Sequence, residues 1–331
     1  MRVGLIGAGA MGAMFGARFA DAGAEVVLFD RDAAHVAEIR DSGLSVTGPD
    51  GEKTYRLDAT TDPVSLGPID MALVMVDGHA TRTVAGLLAA ILPPDAFVIT
   101  LQNGIGNVEA LTAVLGEGRV MAGCTYNSGA RLAPGRIAHT NVGETTIGEI
   151  DGTRTARLDT VAALFRAAGL PVTSSDNVMG HVWMKFVLNV ALNPVSAVTG
   201  LRPGEIARTP SAQALVGHIL DETLAVVAAK GITLPEADPR RYILDHAWER
   251  YNRPSMLQHV ETARRTEIDS LNGALVREGT ALGIPCPFNQ AIVLAVKSLE
   301  ARAAYRTASP DVDETGLEAA ARAEPRPHPM A

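Results

Sequence analysis

A doubly wound parallel α/β sheet followed by an all-helical second half is the fold class this sequence predicts, on three observations. Short apolar runs alternate with helix-period segments through the first 175 residues or so. A glycine-rich turn, Gly7-Ala8-Gly9-Ala10-Met11-Gly12, follows the first of those runs directly. From about residue 176 the apolar spacing is helical almost throughout. Strands separated by helices need crossover connections, and right-handed crossovers give a parallel, doubly wound sheet. The expected division is an α/β domain over 1–175, an all-α domain over 176–306 and a tail over 307–331.

Val3–Ile6 reads as the first strand, and Met11–Ala22 as an amphipathic helix that begins inside the glycine turn. Glu25–Phe29, Met71–Val76, Phe97–Leu101 and Val120–Cys124 are further short apolar runs bounded by turn residues, hence strands. Around Pro134-Gly135 the pattern changes, and Arg136–His139 with Glu144–Ile147 reads as a hairpin at the sheet's edge. Asp176 is the expected N-cap of a long apolar helix through Val198, kinked or interrupted at Asn193-Pro194. Further helices are expected at 210–230, 239–250, 255–282 and 288–305, with Pro285 and Pro287 enforcing the last break. The segment from Thr307 onward is too poor in large apolar residues to offset its ordering entropy, and is expected to be mobile.

At 331 residues the chain is long enough for two domains with separate cores. Its 47% hydrophobic and 20% charged residues give the balance of a soluble globular protein. A formal net charge of −8 disfavours nucleic acid or an anionic membrane as partner, so an anionic substrate needs a local cluster of cations. The two cysteines, Cys124 and Cys286, lie far apart without metal-ligand spacing, as expected of reduced thiols in a cytoplasmic protein. Met1-Arg2 runs straight into the first strand rather than into the apolar region of a signal peptide, and no run is read as a membrane span. The eight histidines are scattered, and no bound metal is expected.

The glycine turn sits between a strand and a helix, which is the context a dinucleotide-binding fingerprint needs. Gly7 permits the tight turn, Gly9 lets backbone approach a pyrophosphate, and Gly12 allows close packing of helix on strand. Ala8, Ala10 and Met11 complete that cradle. At the end of the second strand Asp30 is placed to accept hydrogen bonds from a ribose diol, whereas its neighbour Arg31 could pair with a 2′-phosphate. Asn103, in Leu101-Gln102-Asn103-Gly104, lies at the carboxyl edge of the sheet, where a carboxamide can reach the nicotinamide ribose or the reacting centre; Asn-Gly is also a common turn.

In the second half, Lys185, Asn189 and Asn193 fall at i, i+4 and i+8 on one helical face. That line of one ammonium and two carboxamides lies among Trp183, Met184, Phe186, Val187, Leu188, Val190 and Leu192. One cation with two neutral donor-acceptors suits holding and protonating a small oxo-acid, so the sequence points to hydride transfer.

Taken together these motifs resemble the ketopantoate reductase (2-dehydropantoate 2-reductase) family. The matching pieces are Gly7-x-Gly9-x-x-Gly12, Leu101-Gln102-Asn103-Gly104, Pro134-Gly135 with Ile147-Gly148, and Trp183-x-Lys185-x-x-x-Asn189-x-x-x-Asn193-Pro194. Ser255-Met256-Leu257-Gln258, Arg265-Thr266-Glu267-Ile268-Asp269, Leu271-Asn272-Gly273 and Gly283-Ile284-Pro285 follow, so the likeness spans residues 1 to about 302. The resemblance implies an N-terminal Rossmann domain joined to an all-α domain, with the active site in the cleft between them. It also implies Lys185 as general acid, Asn189, Asn193 and Ser255 holding substrate, Asn103 helping to bind cofactor, and Glu267 touching the cofactor ribose or ordering the site.

The sequence departs from the family pattern at Val76-Asp77-Gly78-His79, where a lysine often stands in members using NADPH. Asp77 and Asp30 beside one Arg31 favour NAD(H), with NADP(H) kept open. Pro254 and His259 differ from the usual surroundings of Ser255, and Leu201-Arg202-Pro203-Gly204 lacks an asparagine some members use. The expected substrate is a small anionic 2-oxo or 2-hydroxy acid, ketopantoate or a relative of it, and a homodimer stays open. A β-hydroxy-acid or polyol dehydrogenase is the alternative enzyme, but that group lacks the Thr-Glu-Ile-Asp segment. A non-catalytic dinucleotide sensor would be expected to lose Lys185.

Overall fold

The computed structural model describes residues 1–49, 51–308, 316 and 318. Most of the tail expected to be mobile therefore lies outside the described residues. The first strand, β1 (Arg2–Ile6), leads into α1 (Ala10–Asp21), β2 (Glu25–Phe29), α2 (Ala33–Ser42), β3 (Leu44–Gly48), β4 (Gly51–Tyr55) and β5 (Asp58–Thr60). Next come β6 (Met71–Val74), α3 (Thr81–Ile91), β7 (Phe97–Thr100), α4 (Asn107–Leu115) and β8 (Val120–Thr125). β9 (Ser128–Ala133), β10 (Arg136–Asn141), β11 (Thr145–Glu149), α5 (Ala156–Ala167) and β12 (Val172–Ser174) complete the first half.

Eight strands form one sheet in the order β12-β11-β8-β7-β6-β1-β2-β5. All neighbours are parallel except β8 and β11. The chain leaves β1 toward β2 on one side and returns to β6 on the other, so the crevice at the carboxyl ends of β1 and β6 is a topological switch point. Side chains alternate between faces along each strand. Leu5, Leu73 and Ile99 face a layer containing Phe15, Phe19 and Phe165, while Ile6, Val74 and Val98 face Leu88 and Leu111. Burial on both faces is why these strands read as continuous apolar runs. The three phenylalanines tie α1 to α5, with ring centroids 5.0–6.0 Å apart.

The expected hairpin of 136–139 with 144–147 does not form. Arg136–Asn141 joins a separate four-stranded sheet, β4-β3-β10-β9, whereas Thr145–Glu149 pairs with β8 in the main sheet. Asn127 turns the chain out of one sheet into the other: its Nδ2 donates to the Gly143 carbonyl at 2.7 Å, and the Gly143 N–H donates to its Oδ1 at 3.3 Å.

The second half comprises α6 (Val178–Thr199), α7 (Pro203–Ile206), α8 (Pro210–Ala229), α9 (Pro239–Trp248), α10 (Ser255–Glu261), α11 (Asn272–Leu282) and α12 (Pro287–Ala308). The N-cap of α6 is Asn177, whose Oδ1 accepts the Gly180 N–H at 3.2 Å, rather than Asp176. The helix runs through Pro194 without interruption. Proline at that position leaves the Val190 carbonyl without its usual donor. Asn272 Nδ2 supplies the missing bond at 3.0 Å, pinning the start of α11 onto α6. The single helix expected over 255–282 is two helices, because the chain turns aside through Ala263 at φ 54° and runs irregularly to Leu271. By length and composition α6 and α8 could each cross a membrane; most of α6 is packed inside the protein.

Candidate active site

The glycine turn is closed by backbone bonds: the Gly7 and Ala8 N–H groups both donate to the Phe29 carbonyl, at 2.9 and 3.1 Å. Gly7 has φ +95°, and a Cβ on Gly12 would sit 2.0 Å from the Gly7 carbonyl oxygen, so neither tolerates a side chain. A Cβ on Gly9 would meet no protein atom within 4 Å. Gly9 also caps α1 without a side-chain bond, leaving the first-turn N–H groups without a capping side chain. That combination fits the pyrophosphate of a dinucleotide, which needs free donors and room for close backbone approach.

At the end of β2 the half-buried Asp30 accepts the Asp32 N–H at 2.9 Å through one carboxylate oxygen. Asp32 caps α2 through the His35 N–H at 3.1 Å and pairs with Arg131 at 2.8 Å. Those two partners, the His35 backbone bond above all, hold its carboxyl below the usual range. Arg31 is exposed and forms no ion pair with a described residue. Asp77, three residues beyond β6, is likewise exposed.

The reacting edge is built where β7 and β8 end. Lys185 Nζ donates to Asn103 Oδ1 at 2.7 Å and to the Thr125 carbonyl at 2.6 Å. Asn103 Nδ2 donates in turn to Glu267 Oε2 at 3.3 Å. An ammonium can only donate, so the amide must turn its oxygen to Lys185 and its nitrogen to Glu267. The Asn103 backbone is held by Asn107, whose Nδ2 donates to its carbonyl at 3.0 Å. Thr81 donates to Asn107 Oδ1 at 2.8 Å and accepts from Gln102 Nε2 at 2.9 Å. The Gln102 amide also ties down the Val76 carbonyl at 2.6 Å, so this residue of the motif is a buttress. Gly104 lets the Glu267-bearing segment close on the turn, since a Cβ there would lie 2.7 Å from the Ser270 carbonyl oxygen.

Burial lowers the pKa of Lys185 below the ordinary lysine value, against the opposing pull of Cys124 and Glu267. Burial raises that of Glu267, with Asp77 adding to the rise while Asn103 and Lys185 oppose it. The two groups are thus pushed toward each other's range. Behind Lys185 stands the Tyr126 ring, 5.8 Å from Nζ, with its hydroxyl pKa raised by burial. Burial also lowers His181, and lowers His246 to about 4.

Along α6 the half-buried side chains His181, Lys185, Asn189 and Asn193 recur once per turn between buried neighbours. Asn189 and Asn193 make no hydrogen bond to a described residue, which leaves both amides available. Ser255 opens α10, which packs against α6, but it is exposed and bonds neither to Lys185 nor to its partners. Sequence reasoning missed the Thr125 carbonyl, Tyr126 and His181. Only His181 carried a signal, because the four-residue spacing extends back to it.

Residues 3–152 match the family described as ketopantoate reductase PanE/ApbA, and residues 177–300 match its C-terminal part. The chain belongs to the ketopantoate reductase family. Membership makes it a nicotinamide-dependent oxidoreductase. It is 32% identical to a 2-dehydropantoate 2-reductase of Halobacterium salinarum over 87% of this chain and 95% of that protein. With the 2-dehydropantoate 2-reductase of Archaeoglobus fulgidus it shares 33% identity over 90% and 98% of the two chains. A ketopantoate reductase structure from Ralstonia eutropha superposes with a TM-score of 0.84 at 34% identity, over 92% of this reductase and 99% of that chain. The same fold, at a TM-score of 0.84 and 24% identity over 92% and 99% of the two chains, recurs in a D-mandelate dehydrogenase bound to NADH and anilino(oxo)acetate.

Proposed function

We propose that this ketopantoate-reductase-type enzyme interconverts a small 2-oxo acid and its 2-hydroxy acid, with Lys185 as proton donor and acceptor. The observation that carries the reading is the line Lys185–Asn103–Glu267 at the carboxyl edge of the sheet. A ketone that gains hydride at carbon develops charge on oxygen, and an ammonium beside it both stabilises and protonates that oxygen. Desolvation of Lys185 brings its pKa down, so it can give a proton in reduction and take one in oxidation. Asn103 orients the ammonium, and Glu267 fixes the amide of Asn103. Asn189, Asn193 and Ser255 hold the substrate through their unengaged polar groups.

The turn Gly7-Ala8-Gly9-Ala10-Met11-Gly12 holds the pyrophosphate, and the free oxygen of Asp30 takes the adenosine ribose. The nicotinamide, when bound, supplies or accepts the hydride. Asp30 and Asp77 favour NAD(H) over NADP(H), since both place negative charge where a 2′-phosphate would need cations and only Arg31 opposes them. The names of the relatives make 2-dehydropantoate the first acid to test.

The test is a 340 nm assay of NADH and NADPH against a panel of 2-oxo acids, repeated with Lys185→Ala. The variant is expected to lose about 10²–10⁴ in kcat, the range of a positioned proton donor, with little change in NADH affinity. Near-normal turnover of any substrate by the variant would remove Lys185 from the proton transfer.

A further inference from the structure

His35 on α2 is fully buried, and both of its ring nitrogens are engaged. Its Nδ1 accepts the Gly135 N–H at 2.9 Å, and its Nε2 lies 2.8 Å from the Ala8 carbonyl oxygen. A backbone N–H only donates, so Nδ1 is the acceptor and Nε2 carries the hydrogen that Ala8 receives. Ala8 lies between Gly7 and Gly9 in the glycine turn; Gly135 sits in the turn joining β9 to β10 of the second sheet. The imidazole therefore bridges the two sheets through backbone atoms alone.

In a planar trans peptide the carbonyl and the following N–H point in opposite directions. Drawing the Ala8 carbonyl inward to His35 turns the Gly9 N–H away from it, on the residue whose Cβ direction is open. We propose that His35 is a positioning residue for the dinucleotide cofactor, orienting the Ala8–Gly9 peptide so that a donor and not a carbonyl oxygen meets the pyrophosphate. Were that peptide to flip, a partial negative charge would face the phosphates. The second sheet then has a role in binding, because it supplies the Gly135 N–H that fixes the tautomer. This inference rests on the glycine turn being the cofactor cradle.

The two bonds can be separated by substitution, because the Gln amide nitrogen reaches the place of Nε2 and the Asn Oδ1 the place of Nδ1. His35→Gln keeps a donor for Ala8, His35→Asn keeps only the acceptor for Gly135, and His35→Phe keeps neither. Fluorescence titration with NADH, NADH KM and kcat, and the melting temperature are measured for all three and for Gly9→Ala. His35→Phe and His35→Asn are expected to weaken NADH binding about tenfold with kcat within twofold, and His35→Gln to recover most of the loss. Equal NADH affinity for the Gln and Asn variants, or affinity that tracks melting temperature alone, overturns the proposal. The Gln–Asn pair decides the matter even if His35→Phe does not fold. Should Gly9→Ala bind NADH normally, the cradle reading falls and this inference with it. Loss in Gly9→Ala alone, with normal binding by the His35 variants, overturns only the role of His35.

Discussion

Replacing Asn103 by aspartate changes one atom of the active site and leaves its shape intact. The oxygen that accepts from Lys185 at 2.7 Å becomes charged, and the nitrogen that donates to Glu267 at 3.3 Å becomes a second oxygen. A unit ion pair at about 3 Å in an effective dielectric of about 20 is worth about 5–6 kcal/mol. That figure is a ceiling, because the neutral amide already supplies part of it and Glu267, whose pKa burial has raised, takes up part of the new charge by protonation. A rise of about one to three units in the Lys185 pKa remains. With Lys185 as the proposed proton donor, reduction in wild type should need the protonated lysine, so kcat/KM for the 2-oxo acid is expected to fall as pH rises through the lowered Lys185 pKa. Oxidation needs the free amine and rises through the same value. In Asn103→Asp both limbs should move to higher pH by about one to three units, and oxidation at pH values below the shifted pKa should fall by up to about tenfold per unit. The assay is a pair of pH–rate profiles, one per direction. Profiles that scale in height without moving along the pH axis would refute the placement of the proton on Lys185.

Wild type should favour NADH over NADPH about tenfold or more in kcat/KM, and Asp30→Ala combined with Asp77→Lys should shift the ratio toward NADPH, mainly through KM. A higher kcat/KM for NADPH in the unmodified enzyme would mean that Arg31 outweighs both aspartates. Phe165→Ala empties the contact between α1 and α5 and should cost about 3–5 kcal/mol in a denaturant titration. A loss under about 1 kcal/mol would show that the phenylalanine cluster collapses without a cavity.

The doubly wound sheet was legible because its strands are buried on both faces and its turns carry glycine. Pairing of distant strands was not. Thr145–Glu149 finds its partner in β8, some twenty residues earlier, and side-chain bonds of Asn127 and Asn141 to main-chain groups hold the intervening chain in a second sheet. The break after α10 was equally hidden, since it depends on an alanine in the left-handed region with no proline or glycine to mark it. Lys185 could be picked out because a lysine on a carboxamide-lined helix face is unusual, Asn103 because it follows a strand at the carboxyl edge of the sheet, and Glu267 only through the family resemblance. Their order in a hydrogen-bonded line depends on backbone atoms such as the Thr125 carbonyl, which a sequence does not display. His35 lay beyond reach for the same reason, since both its partners are main-chain groups.

Lys185 comes from the helical half, yet both of its hydrogen-bond acceptors, Asn103 Oδ1 and the Thr125 carbonyl, come from the sheet. The proposed proton donor is therefore also a clasp between the two halves. A separation of barely 1 Å at this seam would take both contacts past hydrogen-bond length. Such a gape would admit water to the ammonium, undo the desolvation that lowers its pKa and return it toward an ordinary surface lysine. Any opening of this seam would therefore also withdraw Lys185 from the state proposed for proton transfer.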